Sequence, residues 1–131
     1  PVEITDHAES VGPAKLRREG ADALIVSWGA MVNPCLDAAQ SLHRDGIDVS
    51  VLDLRWLAPL DEEALMSAAQ AAGWRVVIVH EAVRTGGFGA EIVTRLVESA
   101  GDVSELKVRR LTTPDVRIPA APLLQRALLP D

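Results

Sequence analysis

At 131 residues, 48% of them hydrophobic, the chain has the size of one domain with room for a real core, and a chain of this length hides roughly two-thirds of its unfolded surface. It has no run of 18 or more apolar residues and no signal-peptide core, so neither a membrane span nor export is expected. One cysteine, Cys35, excludes an internal disulfide and fits a reducing compartment; the net charge of −6 weighs against nucleic acid and anionic membranes and leaves room for a basic partner.

Residues 1–13, with Pro1, Asp6, Glu9, Gly12 and Pro13, show no apolar period and read as a linker or arm from an upstream domain. Residues 14–19 (Ala-Lys-Leu-Arg-Arg-Glu) suit a short edge strand whose charges blunt an open edge. Gly20-Ala21-Asp22 turns into Ala23–Trp28, a strand of buried type that Gly29 ends. A helix to about Arg44 follows, with Val32, Cys35, Leu36, Ala39 and Leu42 on one stripe. Asn33-Pro34 fits its N-cap and first turn. Burial of Leu36 and Leu42 is expected to stabilise by about 2 kcal/mol each.

Asp48–Leu54 is the next strand, and Arg55–Leu60 a loop unusually apolar for a solvent-exposed connection. Asp61 is a good N-cap for a helix to about Ala72, with Glu62 and Glu63 at its positive end and Gly73 as its stop. Residues 74–80 form a strand built on Val76, Val77, Ile78 and Val79, covered on both faces. It is expected to end at His80-Glu81 and to lead into a loop with three glycines in four positions, Gly86, Gly87 and Gly89. Ile92, Val93, Leu96, Val97 and Ala100 give the next helix one apolar face, and Gly101 ends it. Leu106–Leu111 alternates apolar residues with Lys107, Arg109 and Arg110, as a strand open on one side would. A proline-punctuated segment and a short helix over about 122–129 close the chain. Strand and helix alternate throughout the middle. The fold class is α/β, a three-layer α/β/α sandwich around a mainly parallel five-stranded sheet.

The glycine loop is the sharpest candidate site, but its spacing fails both phosphate fingerprints. A dinucleotide motif would need a glycine at Ile92, and a P-loop would need Gly-Lys-Ser/Thr. Glu91 in the first helical turn would repel a phosphate. The favoured reading is a tight turn allowing close backbone approach, with Gly87 expected at positive φ. His80 and Glu81 are neighbours on a strand, so they point to opposite faces and are no acid–base pair. His7, His43, His80 and Cys35 lack metal-ligand spacing, and Ser27 lacks the Gly-x-Ser-x-Gly setting of a hydrolase. The residues by themselves contain no complete active site.

Four blocks together resemble the C-terminal domain of the β subunit of thiamine-diphosphate-dependent 2-oxo acid dehydrogenases. They are Asp-Ala-Leu-Ile-Val-Ser-Trp-Gly (22–29), Val-Leu-Asp-Leu-Arg-Trp-Leu-Ala-Pro-Leu-Asp (51–61), Val-His-Glu-Ala-Val-Arg-Thr-Gly-Gly-Phe-Gly-Ala-Glu-Ile (79–92) and Arg-Arg-Leu-Thr-Thr-Pro-Asp-Val-Arg-Ile-Pro (109–119). The same domain type occurs in transketolases and deoxyxylulose-phosphate synthases. The resemblance covers residues 14–131 and implies an assembly role within an enzyme of the cytoplasm, or of the mitochondrial matrix in a eukaryote.

In that family thiamine diphosphate and magnesium are held outside this domain, so no cofactor is expected to bind here and the chain alone is expected to be inert. The implied partners are a second β subunit, the α subunit, and the basic peripheral subunit-binding domain of the dihydrolipoamide acyltransferase. The implied contact surfaces are Trp56, Leu57 and Pro59 on the apolar loop, and His80, Glu81, Thr85, Gly86, Gly87, Phe88, Gly89 and Glu91 on and around the glycine loop. Asp102 and Glu105 are the candidates for docking the basic partner. Family members continue into a final helix beyond the point where this sequence stops. The motifs lean toward a branched-chain 2-oxo acid, with pyruvate as the other candidate. Two further readings stay open: a free-standing nucleotide-binding or receiver-like module, and the C-terminal domain of a transketolase-type enzyme acting on sugar phosphates.

Overall fold

A computed structural model describes residues 10–130, and the arm over 1–9, with His7, lies outside the described residues. The elements in chain order are β1 (Lys15–Arg18), β2 (Ala23–Ser27), α1 (Val32–Arg44), β3 (Val49–Asp53), α2 (Glu62–Ala71), β4 (Arg75–Val83), α3 (Gly89–Ser99), β5 (Lys107–Thr113) and α4 (Pro122–Arg126). They form one five-stranded sheet in the order β1-β3-β2-β4-β5. β2, β3, β4 and β5 run parallel, and only the charged edge strand β1 is antiparallel. This is the mainly parallel α/β sandwich the alternation of elements implies.

The strand order sets the layers. β2 to β3 steps toward the β1 edge, whereas β3 to β4 and β4 to β5 step the other way. Right-handed crossovers then place α1 on one face and α2 and α3 on the other. The core divides accordingly. Leu24, Val26, Leu52, Leu54, Val76 and Ile78 meet Leu65, Ala69, Ile92 and Leu96 beneath α2 and α3. Ile25, Val49, Val51 and Val79 meet Met31, Cys35 and Ala39 beneath α1.

Local chemistry explains most of the element ends. The Asp61 carboxylate accepts the Ala64 amide at 3.0 Å and caps α2, while its other oxygen accepts the Ala14 amide at 2.9 Å and fixes the chain entering β1. Gly46 and Gly73 follow their helices with φ of 82° and 59°, the left-handed conformation that favours glycine.

Four expectations are corrected. Asn33 is not the cap of α1, because a short 3-10 turn over Gly29–Met31 starts the winding earlier and leaves Met31 at the cap position. β4 does not stop at His80; it runs on to Val83, which pairs with Thr113 of β5. Leu36 and Leu42 are half-buried rather than core, since they lie at the margin of the cluster that α1 forms with β2, β3 and Val79 of β4. Gly87 has no positive φ, and the left-handed glycine of the loop is Gly86, at 74°.

Candidate functional site

In a doubly wound sheet, ligands enter the crevice outside the carboxyl ends of the strands, at the point where the winding reverses. Here that point lies between β2 and β4, the adjacent strands from which the chain departs in opposite directions. The crevice is filled by the protein itself. Trp28, just past β2, stacks on the His80 ring with centroids 5.0 Å apart and planes 14° from parallel. Phe88 meets Trp28 edge-on at 6.1 Å and 86°. Below them the Ser27 hydroxyl donates to the Val79 carbonyl at 3.0 Å, a bond that ties the two strands. Ser27 is thereby structural.

His80 is 1% exposed, and neither ring nitrogen has a hydrogen-bond partner among the described residues. Burial, with the positive charge of Arg110 as a second cause, pushes its imidazole below the usual histidine range. Glu81 points the opposite way and is exposed, as the strand period requires. The two therefore do not act on one substrate.

The glycines are explained by this ring. A Cβ on Gly89 would overlap His80 Nε2 and stand 3.3 Å from Ile78 Cγ2. One on Gly87 would overlap the Val83 carbonyl oxygen and come within 2.8 Å of His80 Cε1. The loop thus lies directly on the histidine, and any side chain at either position would push it off. No space for a phosphate remains between the loop and the ring.

What faces outward at this pole is different in character. A groove of about 590 Å³ runs between Leu57–Leu60 and the glycine loop, with Phe88, Glu62 and Glu91 among its lining. Trp56 is 38% exposed beside the loop, and Arg55 enters that loop in the left-handed region at φ 58°. Arg95 is bound to Glu91 at 2.7 Å and to Glu62. The bond from Glu91, with the charge of Glu62 behind it, holds the guanidinium firmly protonated. The structure therefore gathers Trp56, Leu57, Pro59, Thr85, Gly86, Phe88 and Glu91 at the carboxyl pole of the sheet.

Asp102 and Glu105 are not part of that gathering. They precede β5 and lie at the amino pole, where Asp102 accepts the Ser104 amide at 2.8 Å and both residues are exposed. Trp28, Arg95 and Asp115 of the carboxyl pole escaped the sequence reading. Asp115 receives the Thr85 amide at 2.8 Å and the Thr85 hydroxyl at 2.7 Å, clasping the loop from a segment 30 residues away. These two bonds also hold its carboxyl below the usual range. In the sequence Asp115 stands in the proline-punctuated segment after the last strand and within the block 109–119, with no role assigned. No cluster of three metal-ligating side chains occurs among the described residues.

The strand order, the mixed pairing and the helices on both faces define a doubly wound, three-layer α/β domain. The chain belongs to the transketolase C-terminal domain family, whose profile matches residues 12–131. It is similar to the pyruvate dehydrogenase E1 component subunit beta of Staphylococcus epidermidis, with 38% identity over 109 residues that cover 83% of this chain and 33% of that subunit. The corresponding Bacillus subtilis subunit is 35% identical over 114 residues, 87% of this chain and 35% of that one. Among solved structures, a chain described as "Split gene transketolase, inactive beta4 tetramer" superposes with a TM-score of 0.77 and 31% identity, covering 88% of this chain and 37% of that one. The chain spans about a third of the length of these relatives.

Proposed function

We propose that this domain is the C-terminal assembly part of the β subunit of a thiamine-diphosphate-dependent 2-oxo acid dehydrogenase. Its task is to hold subunits together while decarboxylation and acyl transfer to lipoamide proceed on other polypeptide. The observation that carries the reading is the filled crevice. Where a doubly wound fold would admit a ligand, this one has Trp28 stacked on His80 with Phe88 edge-on to Trp28, and neither nitrogen of the histidine has a hydrogen-bond partner among the described residues.

The apolar loop Trp56–Leu60 and the glycine loop, with Thr85 and Glu91, then serve as contacts for the upstream pyrimidine-binding domain or for a second β chain. Exposed apolar side chains beside a groove are the usual signature of such contacts. Asp102 and Glu105, at the other pole, are the contacts proposed for the basic subunit-binding module of the acyltransferase. Thiamine diphosphate and magnesium belong outside this domain. The relatives at 35–38% identity are pyruvate dehydrogenase subunits, which favours pyruvate over a branched-chain substrate.

Calorimetry separates this reading from a free-standing nucleotide-binding module. The chain is expected to give no heat with thiamine diphosphate and magnesium, ATP or NAD, and micromolar binding of any of them would overturn the assembly role. In the full-length subunit, Trp56→Ala is expected to weaken association with its partners at an unchanged melting temperature.

A further inference from the structure

We propose that residues 128–130 form a strap that closes an apolar trough beside α1 and opens without unfolding of the sheet. The trough, of about 390 Å³, is walled by Val79 and Leu111 on the sheet and by Cys35 and Leu42 on α1. Pro130 stands in the same lining, so the chain's own returning polypeptide supplies part of the cover. The trough lies on the α1 face, and the strap does not depend on the contacts assigned to the carboxyl pole.

The course of the chain after β5 shows why this stretch is separable from the body. Asp115 holds the segment to the glycine loop through Thr85. Further on, every residue of α4 is exposed, with Leu123 at 80% and Leu124 at 57%. Burial resumes at Leu128, Leu129 and Pro130, which are half-buried. The Leu128 and Leu129 amides both donate to the Gln125 carbonyl of α4, at 3.1 and 3.2 Å. Among the described residues no hydrogen bond runs from 128–130 to the sheet. A stretch held to the core by half-buried side chains alone opens at a small fraction of the free energy of global unfolding.

What lies under the strap makes its opening readable. Cys35, the one cysteine of the chain, is 4% exposed. Burial, offset in part by the Ser27 hydroxyl, also pushes its thiol above the usual range. Attack on a reagent needs an accessible thiolate, so the closed trough keeps Cys35 slow. Leu111, 52% exposed at the rim, shows where the cover stops in the closed state. Displacing the strap adds Cys35 and Val79 to that rim as one apolar surface. The strap thereby withholds this surface from other chains until it is displaced.

The test is the rate at which N-ethylmaleimide labels Cys35 in the intact chain, followed by mass. Pro130→Asp sets a carboxylate against apolar walls and is expected to raise that rate at least about tenfold at a nearly unchanged melting temperature. Should Pro130→Asp lower the melting temperature, Pro130→Ser weakens the strap without adding charge, and a smaller rise is expected. Asp115→Ala is expected to leave the rate within about twofold, because Thr113 in β5 already ties the segment two residues earlier. Labelling of the parent is expected to stay flat in urea well below the unfolding transition, since local opening exposes little surface. Equal rates in the parent and both Pro130 variants would overturn the proposal. So would an equal rise in Asp115→Ala, or a parent rate that climbs with urea as global unfolding does.

Discussion

At the scale of single residues, the molecule turns on the contact between His80 and two glycines. An imidazole with no polar partner persists in a core only where its faces are well packed, and here Trp28 covers one face while the glycine loop closes over the ring's edge. Gly89→Ala inserts a methyl where Nε2 already stands, an overpacking expected to cost about 1–3 kcal/mol. The measurement is urea unfolding of Gly89→Ala alone and in a His80→Ala background. The methyl is expected to cost markedly less when the ring is absent, and strictly additive losses would show that the ring is not what excludes it. His80 is buried without a hydrogen-bond partner among the described residues, although the sequence made it readable as a hydrogen-bonded structural histidine and the loop as a close approach. The sequence did not reveal that each explains the other, because the two meet through the fold. The reason first inferred for Gly87, positive φ, belongs instead to its neighbour Gly86.

At the scale of elements, the two helical layers are unequal. Leu96 of α3 is fully buried against the sheet, whereas Leu36 of α1 is half-buried at the margin of its cluster. Leu96→Ala is expected to cost about 2–5 kcal/mol as a core cavity. Leu36→Ala, which the amphipathic stripe alone would rank the same, is expected to cost only about 1–2 kcal/mol. Chemical denaturation of both variants checks the order, and equal losses would place Leu36 in a closed core. Helix existence and facing were legible because apolar residues recur at helical spacing, and α2 was legible to its cap because Asp61 carries a specific chemistry. The residues that end β4 were not, since Val83 pairs only with Thr113, and a strand's length depends on a partner the local pattern does not contain. The start of α1 was hidden by Asn33-Pro34, a favourable cap dipeptide overridden by the turn before it.

At the scale of the whole molecule, acid stability follows from His80. Its folded pKa lies below the value of the unfolded chain, so the unfolded state takes up a proton first as the pH falls. The contribution of the neutral ring to stability is full above about pH 6.5 and declines through the window below it, until the folded pKa is reached. His80→Gln lacks this titration. Its melting temperature is expected to fall less steeply than that of the parent between about pH 7 and about pH 5, and parallel slopes would show that the ring is not held neutral. The architecture as a whole was legible from alternating strands and helices. The opposition of the two poles was not. Trp56 and Glu91 share one end of the sheet, and Asp102 and Glu105 the other, an arrangement that only strand direction decides.

The two bonds from Thr85 to Asp115 also make the polypeptide after β5 a tether on the glycine loop. A protein that grasps the stretch near Pro114 therefore pulls on the lid of His80 without touching it, and cleavage there would slacken that lid while leaving the sheet intact.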